Sequence, residues 1–321
     1  MSASHRRFQQ RIKGTYPLRL INNLTYHRLI ASHRRVGEAW DKVINQYIAG
    51  EIEHRQYVPL RDLGTEKIIW QYWGQGISRE KLPEVVQICF ESVDKYAGDF
   101  KVIRLTDENI ADYLSIPKEI LDKRDNGLMK KAFFSDLLRV MLLASYGGIW
   151  LDATILMTGS FPREFMQGDH FCYQRDDRES YKRIWENAFI YYYCWRDKFQ
   201  VRMLSSILWA KKGSEMMILL SDLLLYYWLH DGKSKEYFFF QILYNRLITG
   251  EYQRLKPIVI SDCTPHLLHA VILGSLLPYS SQDALSKSNL HKLSYFKKRE
   301  IQRLREIVRR LKSSSAEERD L

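Results

Sequence analysis

The sequence predicts a Rossmann-like α/β sheet with helices packed on its faces. Three observations carry that prediction. Residues 67–152 read in the order strand, helix, strand, helix, strand, which builds a sheet with crossover helices. Residues 129–155, MKKAFFSDLLRVMLLASYGGIWLDATI, read as a buried helix, a double-glycine turn and a short strand. Asp152 then stands at that strand's carboxyl end, outside which an open α/β sheet holds its ligand.

The elements follow in order. Residues 1–60 form a basic N-terminal extension in which Ile30, Val36, Trp40, Val43, Ile44 and Tyr47 space out a helix lying against the main body. KIIWQYW (67–73) is an apolar, aromatic strand run ending at Gly74. LPEVVQICFESVDKY (82–96) has helical spacing at Val85, Val86, Cys89, Phe90 and Val93. Lys101 to Leu105 is the next strand, and Thr106 caps the segment after it. The helix at 130–146 and the strand at 149–152 complete the alternation. Beyond Ile155 the pattern loosens. Residues 167–183 are polar and read as a mobile loop, helices are expected at 183–194, 214–229 and 236–249, a last strand at 258–262, and a loop at 280–291. The tail from 296 to 312 is a basic amphipathic helix, with Ile301, Leu304, Ile307 or Val308, and Leu311 on one face.

Composition narrows the function classes. An apolar share of 45% is ordinary for a globular protein, and 20 Tyr, 14 Phe and 8 Trp exceed what a core alone needs, so some suit stacking on ring-shaped ligands. The net charge of +11 favours polyanionic partners. The four cysteines, Cys89, Cys172, Cys194 and Cys263, are scattered without metal spacing and read as reduced, buried thiols. The N-terminal MSASHRRFQQRIKG lacks the apolar run of a secretory signal. Met216 to Leu229, broken by Ser221 and Asp222, falls short of the ~20 residues a membrane span needs. The expected location is cytoplasmic. GxGxxG, Walker and GxSxG patterns are absent.

Several residues stand out as chemistry. Asp136 and Arg139, three apart, share one face of a helix otherwise apolar on most sides. They form either an internal ion pair or a site in which Asp136 accepts from hydroxyls and Arg139 donates to hydroxyls or phosphate. Gly147-Gly148 ends the helix, and also leaves no side chain to obstruct a bulky ligand. Asp152 either caps a turn or holds Mg²⁺ or Mn²⁺ alongside diphosphate oxygens and water. Trp70, Tyr72 and Trp73 surround Gln71; each is either core or a platform for a nucleobase. His291 is a lone histidine far along the chain.

IIWQYWGQG (68–76), Pro83 and the helix after it, the SDxxR of Ser135, Asp136 and Arg139, YGGIWLDAT (146–154) and HKL (291–293) together resemble the bacterial capsular polysaccharide synthesis glycosyltransferases. That family is related to sugar transferases carrying a DXD motif, including yeast-type mannosyltransferases and glucosylating toxins. The resemblance implies a GT-A fold over residues 61–295 with added helices, and a UDP- or GDP-sugar donor. It implies Asp136, Arg139 and Asp152 as the catalytic group. Trp70 would stack on the base, with Gln71, Ser135, Gly148 and Lys292 also beside the donor. Asp152 would be the first acid of the DXD-like element and would touch Mn²⁺ or Mg²⁺, with His291 as a late-chain metal or diphosphate ligand. The third position here is Thr154 rather than an acid, which removes one carboxylate and makes ion binding weak or water-mediated.

The chemistry expected from this resemblance follows from charge. The departing diphosphate gathers negative charge, which a cation, Arg139 and Lys292 stabilise, while the anomeric carbon becomes oxocarbenium-like. Retention of configuration is expected. Asp176, Asp177 and Glu236 are candidate acceptor contacts. The acceptor would be a saccharide or a polyprenyl-diphosphate-linked glycan, with the basic helix and tail at 296–321 resting on an anionic membrane surface, at the inner face of the bacterial membrane. Two other classes compete. The Thr154 departure fits a non-catalytic GT-A-like scaffold. The charge and aromatics fit a nucleic-acid binder, but the basic residues cluster at the ends rather than among aromatics, so nucleic acid is not expected.

Overall fold

The computed structural model describes residues 17–230 and 236–317, with side chains described for 23–230 and 236–311. The expectations for residues 1–16 and for the final SSSAEERDL lie wholly or largely outside the described residues. The chain is a mixed α/β protein. In order its main elements are α1 (Pro17–Ile48), β1 (Ile68–Tyr72), α2 (Glu84–Tyr96), β2 (Lys101–Leu105), α3 (Lys118–Asp125), α4 (Lys131–Tyr146), β3 (Gly148–Leu151) and β4 (Ile155–Met157). Then come β5 (His170–Gln174), α5 (Lys182–Phe189), β6 (Met203–Ala210), α6 (Glu215–His230), α7 (Phe239–Thr249), α8 (Leu267–Ile272), α9 (Ser281–Lys287), β7 (Leu290–Lys292) and α10 (Lys298–Glu317).

The main sheet has the order β2-β1-β3-β6-β5. β1 pairs in parallel with both β2 and β3, while β6 runs antiparallel to β3 and to β5. The chain leaves β1 for β2 on one side and returns to β3 on the other. The strand order therefore reverses between β1 and β3, the place where open α/β sheets form a ligand crevice at their carboxyl ends. A second ribbon pairs β4 with β7, setting Ile155 opposite Lys292 and Leu156 opposite His291.

Helix α4 explains why the sheet holds. From Asp136 to Ser145 every residue is buried, between the sheet and α6, whose own Leu219, Leu220, Leu223 and Leu224 are buried too. Burying such side chains stabilises by ~1.5–3 kcal/mol each. α4 stops because Gly147 and Gly148 both take positive φ, +70° and +98°. A Cβ on Gly148 would stand 2.5 Å from the Ile68 carbonyl oxygen, so the glycine also lets β3 close on β1. α1 lies on α7 and α6 through the fully buried Trp40, and α10 lies on α8 through the fully buried Leu304.

Four expectations need correction. Residues 170–174, expected in a mobile loop, form β5, buried at every position. The sequence reading had no strand at 203–210, yet β6 sits between β3 and β5. The strand expected at 258–262 is reduced to one bridge, Gln174 to Ser261. The loop expected at 280–291 holds α9, started by a Ser280–Asp283 capping box, and most of β7. All four cysteines are buried and free, and among the described residues no helix is long and apolar enough to cross a membrane.

Candidate active site

Asp152 lies just past the carboxyl end of β3. Its backbone N–H donates to the Ser206 carbonyl at 2.9 Å, and its carbonyl accepts from Ile155 at 2.9 Å, closing a tight turn into β4. That turn fixes where the carboxylate stands. Oδ1 accepts from the Trp150 Nε1–H at 2.9 Å and faces Arg139 at 3.4 Å. Oδ2 accepts from the Lys292 ammonium at 3.0 Å, and the same ammonium donates to Thr154 Oγ1 at 2.9 Å. The side chains of Asp152 and Lys292 keep 24% and 21% of their surface exposed, so the pair faces solvent.

Arg139 and Asp136 lie one layer deeper, with side chains 5% and 10% exposed. Nη1 of Arg139 contacts Asp136 at 2.7 Å and donates to the Ser205 carbonyl at 3.0 Å; Nη2 donates to Ser135 Oγ at 3.1 Å. The guanidinium also lies over the Trp150 ring, 5.3 Å from its centroid. Burial drives the Asp136 carboxyl up; Arg139 pulls it back and Asp152 adds to the rise, leaving it at about 7. Burial pushes Asp152 up as well, but Lys292, Arg139 and the Trp150 N–H outweigh it and hold Asp152 below the usual carboxylate range. The two acids are thus set apart: Asp152 stays ionised while Asp136 titrates near neutrality.

The fold therefore brings Ser135, Asp136, Arg139, Asp152 and Lys292 into one cluster. It does not bring the others. Trp70 is fully buried mid-strand, donates its Nε1–H to the Gly147 carbonyl at 3.0 Å and packs against Tyr113 and Tyr146. A ring with no exposed face cannot stack on a base, which corrects the expected platform. Gln71 points the other way, also fully buried, with Oε1 accepting from Arg104 at 3.0 Å. Gly148 sits at the opposite end of β3 from Asp152, ~13 Å away at 3.3 Å per residue. Its role is the close approach to Ile68 rather than room for a ligand.

His291 is corrected by parity. Neighbouring residues of a strand face opposite ways, so a strand that aims Lys292 at Asp152 aims His291 away from it. The His291 ring is fully buried, Nε2 pairs with Thr158 Oγ1 at 3.0 Å, and burial lowers its pKa to about 4. A divalent ion is the group the resemblance implies, and the donor set does not fit it. Both oxygens of the Asp152 carboxylate already face cations, Asp136 lies deeper with its Oδ1 on Arg139, and His291 is turned away. Among the described residues, no group of three His, Cys, Asp or Glu is placed to hold a metal.

Sequence reasoning missed several contributors. β6 supplies the Ser205 and Ser206 carbonyls, and Gln241 of α7 donates to Ser205 Oγ at 3.0 Å. Tyr237 stands close enough that, after burial, Asp136 and Asp152 raise its hydroxyl's pKa further. Trp73, just past β1, is only partly buried, against the cluster that holds Ala153 and Leu293. The hydrophobic run through 67–73 carried the signal for Trp73 but not which ring stays open.

Asp176 and Asp177 pair with Arg178 and Arg202 and line a cavity of about 370 Å³ at the carboxyl end of β5. Glu236 instead accepts from Ser32 of α1, at 2.5 Å. The apolar side of α10, expected to meet lipid, packs on the protein: Leu304 is buried, Ile301, Ile307 and Val308 are partly buried, and Arg305 pairs with Glu84.

Against known proteins, the PaToxG glycosyltransferase structure is similar to 70% of this chain and 80% of its own at 13% identity, with a TM-score of 0.35, too distant to bear on function. No curated protein matches significantly. Residues 22–311 match the family described as capsular polysaccharide synthesis protein, nearly the whole chain including the site, and the chain belongs to that family.

Proposed function

We propose that the protein transfers a hexose from a UDP- or GDP-sugar to a saccharide or polyprenyl-diphosphate-linked glycan of a surface polysaccharide, with retention at the anomeric carbon. The observation that carries this reading is the cluster of Asp136, Arg139, Asp152 and Lys292 at the carboxyl end of β3 in a chain from a capsular polysaccharide synthesis family. Ionised Asp136 accepts hydrogen bonds from sugar hydroxyls. The guanidinium and ammonium set positive charge where the diphosphate departs, and Asp152 fixes both in place before the reaction begins. Trp73, rather than the buried Trp70, is an aromatic at the end of β1 with surface to offer a base.

The cavity bearing Asp176 and Asp177 is the acceptor side in this reading, because β5 runs parallel to β3 and ends on the same edge of the sheet. The exposed Lys298, Arg299, Arg309 and Arg310 of α10 offer an anionic membrane surface ~1 kcal/mol each. Contact there is electrostatic, since the apolar side of α10 is already covered. Donor turnover tests the reading. With a panel of UDP- and GDP-sugars, release of the nucleoside diphosphate is expected from the wild-type chain, and Asp152→Asn or Arg139→Ala is expected to slow it about 10²–10³-fold. A chain that turns over no donor, or variants that match wild type, contradicts it.

A further inference from the structure

We propose that the Lys292 ammonium stands where a divalent cation would, so that the transfer needs no metal. The inference rests on the transferase reading above and adds how the site balances charge.

The first observation is geometric. The two oxygen groups that flank the turn after β3, the Asp152 carboxylate and the Thr154 hydroxyl, both reach Lys292 Nζ, at 3.0 and 2.9 Å. One nitrogen thus sits between the acceptors that an ion at this turn would need. The second is electrostatic. One carboxylate and one neutral hydroxyl match the single charge of an ammonium, whereas a divalent ion would face Lys292 and Arg139 across the same carboxylate and be repelled by both.

The third observation is that the fold delivers the lysine from far away in the chain. Lys292 lies 140 residues beyond Asp152. β7 pairs Lys292 with Ile155, and the Leu293 N–H donates to the Thr154 carbonyl at 2.9 Å, so the ammonium and the turn are bolted into one ribbon. The fourth is capacity. An ammonium has three donors. Two go to Asp152 and Thr154, which leaves one, on a side chain 21% exposed, for a phosphate oxygen of the donor. Arg139 lacks that freedom: its Nη atoms already meet Asp136, Asp152, Ser135 and Ser205, and its Nε is buried. Lys292 is therefore the cation that touches the leaving group, and Arg139 is a positioning residue that acts through the two acids.

The step balances without a metal. The bond between the anomeric carbon and the diphosphate oxygen breaks, a bond from that carbon to the acceptor hydroxyl oxygen forms on the same face, and the hydroxyl proton passes to the departing diphosphate oxygen. The added negative charge on the diphosphate falls beside Lys292.

The test uses the full wild-type chain with UDP-glucose, UDP-galactose, UDP-N-acetylglucosamine and GDP-mannose, following nucleoside diphosphate release in excess EDTA and with added Mn²⁺ or Mg²⁺. Turnover that is unchanged by EDTA is expected. Lys292→Gln, checked for folding by thermal unfolding, is expected to lose about 10²–10³-fold in turnover, with Lys292→Arg losing less. Turnover abolished by EDTA and restored by Mn²⁺ overturns the inference while sparing the transferase reading, as does a folded Lys292→Gln with wild-type rates. Release from no donor under either condition overturns the transferase reading itself, and this inference with it.

Discussion

Two carboxylates, three and thirteen residues from the same arginine, end up with opposite characters. Asp136 sits deeper and is pushed up by burial to about 7; Asp152, nearer solvent and held by two cations, is kept low. The proposed hydroxyl-binding role needs Asp136 ionised, because only the carboxylate is purely an acceptor. kcat/KM is therefore expected to rise as pH climbs through about 7 and to level off above it, and the rise is expected to vanish in Asp136→Asn. A flat profile in the wild-type enzyme contradicts that role. Asp136, Arg139 and Asp152 were legible because one short stretch encodes them all: helix spacing fixes the first two, and a glycine pair with a short strand fixes the third. Trp70 and His291 were not. Whether a mid-strand ring is covered depends on what packs on its face of the sheet, here Tyr113 and Tyr146. Which face of a three-residue strand points to the crevice is set by pairing with β4, which no local pattern announces.

At the scale of elements, the strand the sequence hid is the one the site leans on most. β6 reads MLSSILWA, with two serines where a buried strand would show apolar residues. Their main-chain carbonyls hold Arg139 and Asp152, and the Ser205 hydroxyl accepts from Gln241. β5 lacks alternation because it is buried on both faces, and its flanks, Gly168-Asp169 and Asp176-Asp177, imitate a loop. Arg175, at the end of β5, ties this half of the molecule together. It meets Asp262 through Nε and Nη2, donates to the Tyr192 and Cys194 carbonyls, and lies over Tyr193 and Trp195, with both charged side chains fully buried. Removing one partner strands the other, so Asp262→Ala is expected to cost ~3–5 kcal/mol in chemical denaturation. Arg175→Lys is expected to fail as a replacement, because an ammonium cannot fill the planar fork. A loss under ~1 kcal/mol in Asp262→Ala contradicts the strut.

Across the whole molecule, the two terminal helices pack on different elements, α1 on α7 and α6, α10 on α8. The amphipathic pattern of α10 was legible; what covers its apolar side was not, since lipid and protein ask for the same stripe. Burial also leaves a pH signature. His33, His269 and His291 are all buried, and burial lowers their pKa values to about 4, about 3 and about 4. The unfolded chain binds these protons below about 6.5 while the folded chain refuses them, so their contribution is whole above that pH and is lost as pH falls toward 4. A tenfold difference in proton affinity between the folded and unfolded chain is worth ~1.4 kcal/mol per group. Burial lowers His266 to about 4 as well, and the raised acids Asp136 and Asp222 work the other way, two groups against four. The thermal midpoint is thus expected to fall steadily between pH 6.5 and 4, and a midpoint constant across that window contradicts the reading.

The claim on which the rest stands is that Lys292, held in place by Asp152 with Arg139 behind it, contacts the diphosphate of a nucleotide. Calorimetric titration of UDP and of GDP into the wild-type chain and into Lys292→Gln measures it most directly. One nucleotide is expected to bind the wild type, and the variant to bind it at least ~10-fold more weakly, a difference of ~1.4 kcal/mol. Equal affinity in the two proteins, or no binding of either nucleotide to the wild type, would contradict the account.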